Sequence, residues 1–126
     1  MLADAKIASF IATADPAAAR EFYENVLGLE FLSDEPYAIV FNANGTTLRV
    51  QKVQTVVAAP YTAIGWHVAD ISTEISELKK RGVEFIFFEG FGQDELGIVT
   101  FPGGAKVAWF KDPDGNTLSL DEFASV

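Results

Sequence analysis

The chain has 126 residues and 13.7 kDa, is 49% hydrophobic and 21% charged, and is therefore expected to be one domain with a real core rather than a disordered segment. Acidic residues number 18 and basic ones 9; the net charge of −9 is the wrong sign for tracking nucleic-acid phosphates or an anionic membrane, and neither partner is expected. There is no cysteine and one histidine, His67, which excludes disulfides, thiolate metal sites, cysteine nucleophiles and any single-chain site needing two imidazoles.

Met1-Leu2-Ala3-Asp4 lacks the basic start and apolar run of a signal peptide, and a cytoplasmic protein is the expectation. Lys6 to Thr13 is short, apolar and partly β-branched, which predicts a strand. Asp15 as N-cap and Pro16 at the first helical position start a helix. Its apolar residues Ala19, Phe22, Tyr23, Val26 and Leu27 form one stripe, and Gly28 ends it. Tyr37 to Asn42 and Thr46 to Val53 flank Ala43-Asn44-Gly45, a hairpin signal. The longest uncharged stretch, Val53 to Ala69, has 17 residues interrupted by Pro60, Gly65 and His67, too short to span a bilayer. Tyr61 to Val68 predicts a second early strand. Asp70 caps a second helix with Ile71, Ile75 and Leu78 on its apolar face, closed by Gly82. Glu84 to Phe88 and Ile98 to Phe101 read as extended, either as two strands or as one resumed after a loop. Pro102-Gly103-Gly104 and Asp112-Pro113-Asp114-Gly115-Asn116 make turns around Ala105–Phe110 and Thr117–Glu122.

These elements repeat. Val26-Leu27-Gly28-Leu29-Glu30-Phe31 returns as Lys80-Arg81-Gly82-Val83-Glu84-Phe85, Ala14-Asp15 as Ala69-Asp70, and Asn44-Gly45-Thr46-Thr47-Leu48 as Asp114-Gly115-Asn116-Thr117-Leu118. The offsets are 54, 55 and 70 residues, so the second copy carries a longer loop near Glu89 to Gly97. The expectation is a single pseudo-symmetric domain over 1–126, with module one at 5–53, a linker at 54–60 and module two at 61–123.

The βαβββ layout, found twice, resembles the vicinal oxygen chelate superfamily of glyoxalases, bleomycin-resistance proteins and extradiol dioxygenases. The resemblance rests on Asp15-Pro-x3-Arg-Glu-Phe22-Tyr23-x3-Leu27-Gly28-Leu29 and on Trp109-Phe110-Lys111-Asp112-Pro113-Asp114-Gly115-Asn116, and covers essentially the whole chain. It implies an α+β fold in which two tandem modules form a curved, mostly antiparallel sheet around a cavity, with helices on the outer face, in a homodimer. It says far less about chemistry, because one fold hosts many functions.

Strand parity predicts what faces the cavity. Ile64, Trp66, Val68, Leu118 and Leu120 are the helix-facing set; Ala63, Gly65, His67, Ser119 and Asp121 point the other way. The turn at Asp112–Asn116 pairs Trp109 with Ser119, so Trp109 faces the cavity beside Val107. By the repeat, module one contributes Ala8, Phe10, Ala12, Ile39 and Arg49. Metal-dependent members of the superfamily place ligands at positions that fall here on Ala8, Arg49, Ala63 and Ser119. Two methyl groups, a guanidinium and a hydroxyl cannot make a divalent site, so neither metal nor other cofactor is expected.

The candidate ligand-binding residues are therefore Arg49, His67, Trp109, Ser119, Phe10, Ala8 and Ala63, with no catalytic residue assigned. Arg49 suits a carboxylate, phosphate or enolate, unless it is simply a solvent-facing arginine. Trp109 and Phe10 are either core packing or a stacking wall for a flat ligand, with Tyr61 as a rim. Asp94-Glu95 reads as an acid–base pair at a cavity mouth or as a solvated loop. Two function classes stay open: a metal-independent small-molecule binding or sequestering protein, like the bleomycin-resistance branch, or a lyase, isomerase or dioxygenase-like enzyme acting on a small carbonyl or carboxylate. Pseudo-twofold packing of the modules is expected to bring Arg49 and Ser119 toward one concavity walled by Trp109.

Overall fold

Two similar hydrophobic patterns produce two similar sheets. The structure is a computed structural model that describes residues 1–123, so the end of the expected 1–126 domain lies outside the described residues. The chain divides into two compact units, one from Met1 to Ala58 and the other from Ala59 onward.

In the first unit a short 3-10 turn, Leu2–Asp4, precedes strand β1 (Ala8–Thr13). Helix α1 (Pro16–Glu21) starts where the sequence signals it: the Asp15 carboxylate accepts the Ala18 N–H at 3.2 Å. The helix then widens into a π turn over Phe22–Val26, with the Leu27 N–H donating to the Phe22 carbonyl at 2.9 Å. That extra residue per turn rotates later side chains off the 3.6-residue stripe. Ala19 and Tyr23 are fully buried, whereas Phe22, Val26 and Leu27 are only half-buried.

Strands β2 (Glu30–Asp34), β3 (Ala38–Ala43) and β4 (Thr46–Lys52) complete a sheet of order β1-β4-β3-β2. Only β1 and β4 run parallel. Asn44 (φ 51°) and Gly45 (φ 92°) both take positive φ, the two-residue hairpin turn that their types favour. This turn fixes Val40 opposite Arg49 and Ile39 opposite Val50. Ile39, expected to face the cavity, is therefore on the helix side with Phe41, whose ring lies 6.0 Å from that of Tyr23. Counting register through the hairpin puts Val40, not Ile39, beside Arg49.

The second unit repeats the order with β5 (Ile64–His67), α2 (Ile71–Lys80), β6 (Val99–Thr100), β7 (Lys106–Lys111) and β8 (Thr117–Glu122), arranged β5-β8-β7-β6. Asp70 accepts the Thr73 N–H at 3.2 Å, and Thr73 holds its carboxyl below the usual range. Ile71, Ile75 and Leu78 are buried, as their spacing predicts. Phe110 and Leu118 fill the same core.

The expected strand over Glu84–Phe88 is reduced to one bridge, Phe85 to Phe110, supported by the Ile86 N–H donating to the Trp109 carbonyl at 2.8 Å. The chain then leaves the sheet and returns as β6 on the same edge of β7. The β7–β8 turn is held by Asp112, whose carboxylate accepts the N–H groups of Asp114 and Asn116 and the Asn116 carboxamide, each at 2.9 Å.

Candidate functional site

In each unit the helix covers one face of the sheet, and the candidate residues lie on the other. In the second unit the register sets Gly65, Ser119 and Trp109 in one row and His67, Asp121 and Val107 in the next. Gly65 allows a close approach: a methyl there would meet the Ser119 hydroxyl unless the serine turned away. Ser119, at the centre of its row, is buried, and Ala63 is exposed at the strand entrance, its N–H donating to the Thr117 carbonyl at 2.8 Å.

The indole of Trp109 leans toward the start of β5, where Nε1 donates to the Thr62 hydroxyl at 3.1 Å. Phe88 and Phe91 meet it edge-on, with ring centroids 5.4 and 5.7 Å away. Together with Pro60, Tyr61, Thr62 and Thr117 they line a pocket of about 300 Å³. The lining holds no charged side chain.

The loop that carries Phe88 and Phe91 is tied from within. The Gln93 carboxamide accepts the Phe88 N–H at 2.5 Å and donates to the carbonyls of Ile86 and Gly97, each at 2.8 Å. Asp94 accepts the N–H groups of Leu96 and Ile98 at 2.9 Å each, so its carboxylate is engaged in shaping the loop. Phe88, Phe91, Thr62 and Gln93 were not among the residues the sequence singled out. The available signal was Phe85, Phe87, Phe88 and Phe91 crowded just ahead of Gly92 in the longer loop of the second copy.

His67 lies toward the far end of β5 from this pocket. Its Nδ1 is in hydrogen-bond contact with Oδ1 of Asp121, and its ring lies 5.1 Å from that of Phe123, tilted by 53°. The histidine side chain is 78% exposed and the aspartate 19%.

In the first unit Phe10, Arg49 and Val40 form the corresponding row, with Ala8 exposed at the start of β1. Phe10 is half-exposed. The Arg49 guanidinium already has a partner: it donates to Glu35 at 2.8 Å, and Ser33 donates to the same carboxylate at 3.1 Å. Arg49 and then Ser33 hold the Glu35 carboxyl below the usual range.

The four positions at which the resemblance implies metal ligands carry Ala8, Arg49, Ala63 and Ser119, and this set does not fit a divalent cation. Among the described residues no three His, Asp or Glu side chains come together as a metal-holding group.

A family model for the Glyoxalase/Bleomycin resistance protein/Dioxygenase superfamily matches residues 6–120. The chain belongs to this superfamily. Among solved structures, a member of the Glyoxalase/bleomycin resistance protein/dioxygenase superfamily from Sphaerobacter thermophilus is 26% identical, with 97% of this chain and 99% of that chain covered and a TM-score of 0.74. A glyoxalase/bleomycin resistance protein/dioxygenase from Alicyclobacillus acidocaldarius is 19% identical over 97% and 93% of the two chains, TM-score 0.71. Lactoylglutathione lyase from Agrobacterium tumefaciens is 20% identical over 94% and 93%, TM-score 0.69. The latter two show the fold alone. No curated protein matches the sequence. The fold expected from the repeat, two βαβββ modules, is that of this superfamily. Among the described residues no helix is long and apolar enough to cross a membrane.

Proposed function

We propose that this superfamily member is a metal-independent small-molecule binding protein that holds a flat ligand against Trp109. The observation that carries the reading is the pocket of about 300 Å³ walled by Tyr61, Phe88, Phe91 and Trp109. Aromatic walls supply large contact area at little cost in side-chain entropy, which favours binding of planar molecules. The lining offers hydroxyls but no carboxylate, imidazole or amine to drive a reaction, which favours sequestering over turnover. The donor chemistry of Ala8, Arg49, Ala63 and Ser119 supports the metal-free part of the proposal.

Phe10 and Arg49 are the candidate residues that module one offers. An anion reaching Arg49 has to compete with Glu35, so they are the weaker candidates. A homodimer in the cytoplasm is the matching proposal for assembly and location, since sheet edges left open invite association.

Three measurements test the reading. Elemental analysis after dialysis is expected to find no stoichiometric zinc, iron, nickel or manganese; one such ion per chain overturns metal independence. Planar aromatic probes are expected to bind the wild type and to lose binding in Trp109→Ala; unaltered binding overturns the pocket. Sedimentation at micromolar concentration is expected to give twice the chain mass, and 13.7 kDa rules the dimer out.

One observation favours a second reading, an enzyme acting on a small carbonyl or carboxylate substrate. His67, with Nδ1 on Asp121, keeps Nε2 for proton transfer. Under that reading His67→Gln abolishes turnover while leaving ligand binding at Trp109 intact.

A further inference from the structure

Three hydroxyls line the aromatic pocket and they are not equivalent: the Tyr61 phenol is exposed and no hydrogen bond among the described residues fixes its position. Thr117 Oγ1 spends its proton on the Ala59 carbonyl, at 3.4 Å. Thr62 Oγ1 accepts the indole N–H of Trp109, and among the described residues its own proton goes to no acceptor. A threonine hydroxyl is one donor and two acceptor lone pairs, so Thr62 presents an O–H at the pocket wall with one lone pair already taken. Accepting from the indole fixes where that oxygen sits, beside the aromatic surfaces of Trp109, Phe88 and Phe91.

The rest of the lining sharpens the choice. Among the described residues that line the pocket there is no Lys, Arg, Asp or Glu, so an ionised ligand would lose hydration with no opposite charge from this lining to replace it. The molecule as a whole carries −9, which adds repulsion for an anion.

From this the geometry points to a ligand class: an uncharged planar aromatic that carries a hydrogen-bond acceptor, a ring nitrogen or a carbonyl, placed to receive the Thr62 O–H. Thr62 is then the specificity-determining residue of the pocket. The inference rests on the proposal that this pocket is the binding site, and extends it from shape to chemistry. The carboxylate or enolate expected from Arg49 is not required for this ligand class.

The test follows the indole N–H resonance of Trp109, assigned by its loss in Trp109→Phe, during titration with three probes at mildly alkaline pH. The probes are quinoline (neutral, with a ring nitrogen), naphthalene (the same shape with no acceptor) and 2-naphthoate (an anion). Quinoline is expected to bind about threefold to tenfold more tightly than naphthalene, the worth of one neutral hydrogen bond, and 2-naphthoate more weakly than either. Thr62→Val is expected to erase the preference for quinoline with naphthalene unchanged, and Thr62→Ser to retain it. If both neutral probes move the Trp109 resonance with equal Kd, or Thr62→Val keeps the preference, the ligand class is overturned and the binding pocket stands. If 2-naphthoate binds most tightly, the ligand class is likewise overturned. If no probe moves the resonance, the pocket and the ligand class fall together.

Discussion

The two modules carry nearly the same inner face and different outer ones. On the helix side, Ser9, Leu48, Phe41 and Phe31 in module one answer to Ile64, Leu118, Phe110 and Phe85 in module two. The next row is Ile11, Val50 and Ile39 in one and Trp66, Leu120 and Ala108 in the other, where a large indole on β5 is offset by a methyl on β7. On the open side, Phe10, Arg49 and Val40 stand where module two has Gly65, Ser119 and Trp109. The core constrains volume and polarity tightly, so two unlike sequences converge there. The open face is free to differ, and that freedom gives module two an aromatic pocket and module one an ion pair.

The edge strand shows the same contrast. In module one β2 leads to β3 through Glu35-Pro36-Tyr37, whereas in module two the edge is broken by the loop that brings Phe88 and Phe91 to Trp109. The loop is the addition that turns a bare sheet face into an aromatic-walled pocket.

The strongest way to test the likeness of the inner faces is to remove matched core rings. Phe41→Ala and Phe110→Ala, each at a fully buried site, are expected to cost about 3–5 kcal/mol apiece in urea denaturation. A cost confined to one module would break the equivalence.

The outer faces are separated by a smaller effect. Gly65→Ala drives a methyl into the Ser119 hydroxyl and is expected to destabilise by about 1 kcal/mol, the low end of overpacking because the serine can change rotamer. Adding Ser119→Ala should restore the loss. The matched change in module one, Phe10→Ala, truncates a half-exposed ring and is expected to move the denaturation midpoint less.

The loop is tested through Gln93. Gln93→Glu cannot donate to the Ile86 and Gly97 carbonyls, so quinoline and naphthalene should both bind about threefold to tenfold more weakly, with their ratio preserved. A change in the ratio instead would mean that the loop acts on the acceptor and not on the aromatic wall.

The smallest effect is a pH dependence belonging to module one. Arg49 and Ser33 lower the Glu35 carboxyl from its usual range. A depressed carboxyl contributes stability that is present above its unfolded value and lost as pH falls through its folded one. The thermal midpoint of the wild type should therefore fall on acidification through the carboxylate range, and that of Glu35→Gln should fall less steeply. Equal slopes would show that the Arg49 pair contributes nothing to folding.

The sequence by itself determined the repeat, both helix starts, the Asn44-Gly45 and Asp112–Asn116 turns, and Trp109 opposite Ser119. Each of these is a local matter: a cap reaches three residues, a hairpin turn sets the register of the strands it joins, and alternation fixes the face. The superfamily followed because those local signals recur in order. It misplaced Ile39, for which the same turn had not been counted through, and expected a regular stripe where α1 widens at Phe22–Val26. Only the tertiary structure decided that Glu35 returns to Arg49, that Thr62 meets the indole of Trp109, and that Gln93 folds a glycine-rich loop into an aromatic wall. Those contacts join segments whose separation in the chain carries no periodicity, and their formation depends on side-chain directions that exist only once both sheets are built.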